Sequence, residues 1–296
     1  MNAPSLIGSE VLKAVYPFDR PWAIGAAAEL ACVLEATAPK LGNVHPGAAF
    51  ADMQYADFLK SSAAIGPVFA RVGELSVGQL VLEGVVATRA DVRINTNLGT
   101  LLLFAPLAKA WSSHASLADL HTATHEVLGR LTPDDSQDIY EAIRIAKPGG
   151  LGSSSQHDVH AAAPADLLVA MRHAAPTDAV AAQYANGFSD LFKRLVPWFE
   201  EALRSGRDVL AAACCVQVRW LAAERDGLIV RKCGMEVANE VQSLAARVVQ
   251  AESDDCRRAR LQELDRYLRG DGHRRNPGTT ADLIAALLFI KLLCSV

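Results

Sequence analysis

Asn276-Pro277-Gly278-Thr279-Thr280-Ala281-Asp282, followed by the unbroken apolar run Leu283 to Ile290, decides the fold class of this chain. Pro277 and Gly278 form a rigid turn. Thr279 or Thr280 then caps a helix, with Asp282 in its first turn. A helix that is apolar on most faces belongs at the centre of a helical bundle. His273-Arg274-Arg275 adds positive charge just before the turn. A helix start with free N–H groups, hydroxyls and arginines suits a phosphate or a metal–phosphate pair. An ordinary capped helix accounts for the same residues.

Working outward, alanine and leucine dominate and helical spacing recurs throughout. Helices are expected over Ala23–Leu34, Asp57–Val72, Val77–Arg89, Leu117–Leu131, Asp135–Ala146 and Ala165–Arg172. Leu98–Trp111 is a second, almost purely apolar helix, kinked at Pro106. A helix follows Thr177, capped by Thr177 or Asp178. Asp190–Arg204 bends or breaks at Pro197. Asp208–Glu224, Gly234–Glu252 and Arg257–Leu268 complete the set. No hairpin signal appears. The expectation is an all-α bundle forming a single domain over residues 1–296. The polar turns before Leu98 and Leu283 would meet in one pocket if both buried helices start at the same end.

Composition narrows the partners. Of the 296 residues 51% are hydrophobic and 21% charged, enough for a large core. The net charge of −4, with no basic block, argues against nucleic acid. Six cysteines without a C-x-x-C pair read as reduced thiols of a cytoplasmic protein. Met1 to Glu10 carries no signal-peptide pattern. Lys291 interrupts the last apolar stretch, which is shorter than the roughly 18–20 residues of a membrane span. A homodimer is compatible with such long apolar helices.

Five polar clusters carry the chemistry. Between Glu35 and Pro46, Lys40 and His45 are placed to meet phosphate, and Asn43 a base or ribose; Lys40 near a helix C-terminus is the plainer alternative. Asp52 and Asp57 precede a helix and, with Glu83 and Asp91, would offer the oxygen ligands that suit Mg²⁺. Arg93-Ile94-Asn95-Thr96-Asn97-Leu98-Gly99-Thr100 puts more polar groups at a buried helix entrance than capping alone uses. Lys147 to Ser155 is a glycine-rich connection, read as a lid, that fails the phosphate-loop and dinucleotide patterns. Asp226 and the pair Arg231-Lys232 combine types that hold metal and triphosphate, or simply form surface ion pairs. His121 and His125 lack the glutamate of a zinc-protease motif, and no G-x-S-x-G elbow exists.

In this order the clusters resemble the triphosphoribosyl-dephospho-CoA synthase family of the CitG/MdcB type. The carrying residues are Glu35 to Val44, Asn95-Thr96-Asn97-Leu98-Gly99, Gly187-Phe188 and Asn276 to Asp282. The resemblance implies an all-α transferase that releases adenine from ATP. The 2′-hydroxyl of dephospho-CoA takes the ribose with its triphosphate, and Mg²⁺ accompanies the nucleotide. It assigns Asp52, Asp57, Glu83 and Asp282 to catalytic roles, the first three also to metal. Lys40, His45, Arg231, Lys232, Arg274 and Arg275 face phosphate. Asn43, Asn95, Asn97, Gly99, Asn276, Thr279 and Thr280 complete the substrate contacts. Familiar members have Lys-Pro-Gly in place of Lys40-Leu41-Gly42 and Asn-Thr-His-Lys-Gly in place of Asn95 to Gly99. These departures resemble a divergent branch of methanogens and C1-metabolising bacteria. The alternative that branch suggests is a related transferase or ligase whose acceptor is a C1-carrier cofactor precursor, of tetrahydromethanopterin or methylofuran type.

Overall fold

The computed structural model describes residues 21–112, 117–150 and 158–294. Among them are fourteen α-helices and no sheet, as the spacing predicts. In chain order these are α1 (Ile24–Thr37), α2 (Tyr55–Ala70), α3 (Val77–Asp91), α4 (Leu98–Trp111), α5 (Leu117–Gly129), α6 (Pro133–Ala146) and α7 (Leu167–Ala174). Then come α8 (Ala179–Asn186), α9 (Val196–Arg204), α10 (Val209–Ala223), α11 (Gly227–Cys233), α12 (Met235–Val249), α13 (Asp254–Arg269) and α14 (Gly278–Cys294). A short extended segment, Gly270–His273, links α13 to the turn before α14.

The run that opened the sequence reading is the centre of the molecule. Every residue of α14 from Leu283 to Cys294 is buried. It packs against α1, α4, α8, α10 and α11. Phe289 stacks on Phe104 of α4 at 4.3 Å between ring centroids, and Phe69 of α2 meets both rings edge-on. A smaller core joins the end of α10 to α11, α12 and α13 through Leu221, Ile229, Val241, Leu244 and Leu264.

Local chemistry sets the helix boundaries. The second helix begins at Tyr55, ahead of the expected Asp57, because the Asp57 carboxylate accepts the Gln54 N–H at 2.8 Å. Thr132 and Asp135 form a reciprocal capping box that starts α6 at Pro133. Asp178 caps α8 by accepting from Val180 and Ala181. Before Pro197 the chain takes a π-helical turn, Leu191–Leu195, which feeds directly into α9.

Pro106 does not break α4, which runs through it as one helix. A proline removes the N–H that would bond the carbonyl four residues back, here Leu102. The buried Tyr184 hydroxyl donates to that carbonyl at 2.7 Å. Burial raises the tyrosine pKa, so the hydroxyl keeps its proton. No helix among the described residues is long and apolar enough to cross a membrane.

Candidate active site

The starts of α4 and α14 lie at the same end of the bundle and open on one cavity of about 840 Å³. That is near the upper end of the roughly 300–1,000 Å³ usual for small-molecule sites. Asn95 to Thr100 form one wall, and Asn276, Gly278, Thr279, Ala281 and Asp282 another. The start of α8 at Thr177 and Asp178, and Leu228 in the first turn of α11, also reach it. Helix starts carry partial positive charge, so their convergence favours an anionic ligand.

Asp282 joins the two principal walls. Thr100 Oγ1 donates to its Oδ1 at 2.7 Å. A Cβ on Gly99 would fall 2.1 Å from Oδ2, so only glycine lets the carboxylate lie against the first turn of α4. Asp282 is enclosed by protein except where it faces the cavity. Desolvation, with the charges of Glu35, Asp178 and Asp226 behind it, pushes its pKa up to about 8, the Thr100 bond opposing. Asp282 therefore holds a proton near neutral pH, and Oδ2 is the oxygen left to carry it.

The Lys40–Asn43 turn is tied down behind the wall and presents Asn43 to the cavity. Gln217 of α10 exchanges hydrogen bonds with the Leu41 backbone at 2.8 and 2.9 Å and donates to Asn43 Oδ1 at 2.9 Å. Asp265 accepts from Gly42 N, and Arg269 donates to Asn43 O. Asn43 in turn donates to Asn276 Oδ1 at 2.5 Å. Gly42 has φ of 69°, the left-handed region that suits glycine. The α10–α13 core is thus bonded to the turn that carries the cavity wall.

A basic edge lies at α11. Arg231 pairs with Asp178. Gly149 packs on the Lys232 side chain and Gly150 on Arg231, so the Lys147–Gly150 turn lies against the basic pair. Lys147, Arg231 and Lys232 all line the cavity. Burial lowers the Lys232 pKa. The rest of the glycine-rich connection, residues 151–157, lies outside the described residues, so the lid expectation does too.

Of the residues singled out in the sequence, the cavity brings together Asn43, Asp52, Asn95, Asn97, Gly99, Arg231, Lys232, Asn276, Thr279 and Asp282. Asn97 donates to Thr88, Asn95 accepts from Leu98 N, and Thr279 Oγ1 accepts from Leu228 N. Lys40, His45, Asp57, Glu83, Arg274, Arg275 and Thr280 lie off the cavity wall. Lys40 is fully buried against Glu35, Nζ to Oε1 2.7 Å, and reaches the cavity only through that glutamate. His45 Nδ1 accepts from Gly47 N. Arg274 pairs with Asp271, and Arg275 stacks on Tyr267. Thr280 donates from both N and Oγ1 to Asp226, which also caps α11.

The three carboxylates expected to share Mg²⁺ do not meet as a group. Asp57 is occupied at the start of α2, Glu83 pairs with Arg71 at 2.6 Å, and Asp52 pairs with His273 at 3.0 Å. No cluster of three or more histidine, cysteine or acidic side chains suited to a metal exists among the described residues. His121 and His125 pack on Gly187, His121 Nε2 lying 3.0 Å from its carbonyl. This contact places the Gly187-Phe188 motif in the scaffold, beyond the cavity wall.

Some lining residues had no signal in the sequence. Arg89 arrives from α3 and Tyr140 from α6; Arg93, Lys147 and His273, singled out in the sequence only as parts of polar stretches, reach the cavity as well. Lys147 was legible as part of a glycine turn and Asp178 as a cap. The remainder depend on long-range packing.

No curated protein matches the chain significantly. Three chains of solved structures match. One, from Archaeoglobus fulgidus and assigned as a triphosphoribosyl-dephospho-CoA synthase, aligns with a TM-score of 0.59 at 24% identity over 79% of this chain and 98% of its own. At that identity the likeness speaks for the fold. The model of the CitG family, ATP:dephospho-CoA triphosphoribosyl transferase, matches residues 21–296. This chain, whose two family-like turns meet at Asp282, belongs to the CitG family of ATP:dephospho-CoA triphosphoribosyl transferases.

Proposed function

We propose that the cavity between the starts of α4 and α14 is where the chain transfers the triphosphoribosyl group of ATP to dephospho-CoA. The observation that carries this reading is Asp282, an enclosed carboxyl at the junction of both turns that faces the cavity, and desolvation there pushes its pKa up to about 8. Breaking the bond between ribose and adenine puts positive charge on the ribose carbon and negative charge on the departing base. An acid at the base lowers that cost. Asp282 donates its proton to the departing adenine, and Glu35, also in the wall, faces the cationic sugar. The Glu35–Lys40 pair fixes that carboxylate in place.

Arg231 and Lys232, braced by the Lys147–Gly150 turn, bind the triphosphate, and the helix starts assist them. Arg89 and Arg93 offer a second set of cations for the diphosphate of dephospho-CoA. Mg²⁺ accompanying the nucleotide would neutralise phosphate charge beside Arg231 and Lys232.

The test is direct. The purified chain is incubated with ATP, Mg²⁺ and dephospho-CoA, and free adenine is measured. Adenine appearing only when dephospho-CoA is present supports the reading. Nucleotide binding without adenine release rejects it and leaves a transferase with another acceptor.

A further inference from the structure

We infer that His273, oriented by Asp52, is the general base that takes the proton from the acceptor hydroxyl. This assignment rests on the transfer reading above and adds to it the group that activates the nucleophile. The two residues are far apart in sequence. The 42–53 loop brings Asp52, and the extended segment after α13 brings His273, to the same stretch of cavity wall. His273 Nδ1 lies 3.0 Å from Asp52 Oδ1. In the neutral imidazole a carboxylate at Nδ1 selects the tautomer that carries its proton there, with the lone pair on Nε2. Nε2 has no protein partner among the described residues. The Phe50 ring meets the imidazole edge-on at 5.9 Å.

The arrangement divides the chemistry between two ends of one motif. His273 and Asp282 bracket the Asn276-Pro277 turn, and both side chains reach the cavity. In the forward step the O–H bond of the 2′-hydroxyl of dephospho-CoA breaks, and its proton passes to His273 Nε2. The oxygen forms the new bond to the ribose C1′ of ATP. The C1′–N9 bond breaks, and its electron pair leaves on adenine, which takes the proton of Asp282. The imidazolium and the Asp282 carboxylate then return to their starting forms by proton exchange with water. No oxidant, reductant or further reactant is required. Asp52 is a positioning residue in this scheme, and His273 the catalytic one.

Three properties of a His273→Ala variant test the assignment: the rate of adenine release with ATP, Mg²⁺ and dephospho-CoA, the affinity for ATP, and the response to added imidazole. A base contributes roughly 10²–10⁴-fold, so a loss of that size is expected, with ATP binding unchanged and part of the rate restored by imidazole. Asp52→Asn should lose less, because the imidazole remains. A His273→Ala variant as active as the parent overturns the assignment, and so does an inactive variant that imidazole does not rescue. Where alanine does not fold, His273→Gln keeps a donor toward Asp52 without a basic nitrogen; full activity in that variant overturns it too. A parent chain that binds ATP yet releases no adenine fails earlier, and sinks the transfer reading together with the dyad.

Discussion

Asp226 and Asp282 are two enclosed carboxylates beside the first turns of α14, and burial pushes the pKa of each upward. Their surroundings differ in hydrogen bonds. Asp226 accepts from Leu228 N, Ile229 N, Thr280 N and Thr280 Oγ1, and it has no opening to the cavity. Asp282 accepts one side-chain bond, from Thr100, and lines the cavity. A carboxylate whose lone pairs are filled by fixed donors is a joint between helices. One left with spare capacity in a desolvated wall is a proton donor in waiting. The contrast shows how two chemically identical groups, both at the start of one helix, divide into scaffold and reagent.

The largest expected effect separates the two at once. Asp282→Asn should lower adenine release by about 10³-fold while the fold persists, since the amide cannot give up a proton. The parent should slow as pH rises through about 8, when Asp282 loses the proton it donates. Stability should move with pH in the same window. The folded pKa stands above the ordinary value of 3.8, so the unfolded chain gives up this proton first, and stability falls as pH rises from near 4 to about 8. Chemical denaturation of Asp282→Asn should lack that component, making the variant the more stable protein at neutral pH. Equal slopes for both proteins would break the comparison.

Gly99→Ala comes next. Its Cβ would lie 2.1 Å from Asp282 Oδ2, so the carboxylate must shift. A displacement of about 1 Å costs on the order of 10²-fold in rate, to be read from adenine release. Asp226→Asn should do the reverse: a loss of about 3 kcal/mol in unfolding free energy, because an amide NH2 cannot accept from the fixed donors Thr280 N and Oγ1 as the acid oxygen does. A rate collapse without destabilisation would mean that Asp226, too, belongs to the chemistry. Smallest is Tyr184→Phe. It strips the donor from the Leu102 carbonyl that Pro106 leaves open, and should cost about 1–2 kcal/mol in denaturant unfolding.

The sequence carried the frame of this site further than its details. Apolar runs at Leu98–Trp111 and Leu283–Ile290 announced two central helices, because that signal is local; the polar turns before them pointed to a shared pocket only on the condition, met in the structure, that both helices start at the same end. The reading of Asp52, Asp57 and Glu83 as one metal group had no such support. Glu83 meets Arg71 across the turn between α2 and α3, and Asp52 meets His273 from the far end of the chain. Such pairings arise only once helices pack, and spacing along the chain does not encode them. Asp57 is the exception, since a carboxylate three residues after Gln54 at a helix start is a legible cap. The continuity of α4 through Pro106 was hidden for a related reason. The residue that permits it, Tyr184, sits in another helix.

One consequence follows from where α14 lies along the chain. The helix that α1, α4, α8 and α10 all close around is translated after every one of them. At about 5–20 residues per second, the ribosome needs on the order of tens of seconds to reach it. Through that interval the earlier helices lack the apolar helix against which they pack in the finished fold. Cellular yield should therefore respond to chaperone supply and to pausing late in the message more than to changes near its start.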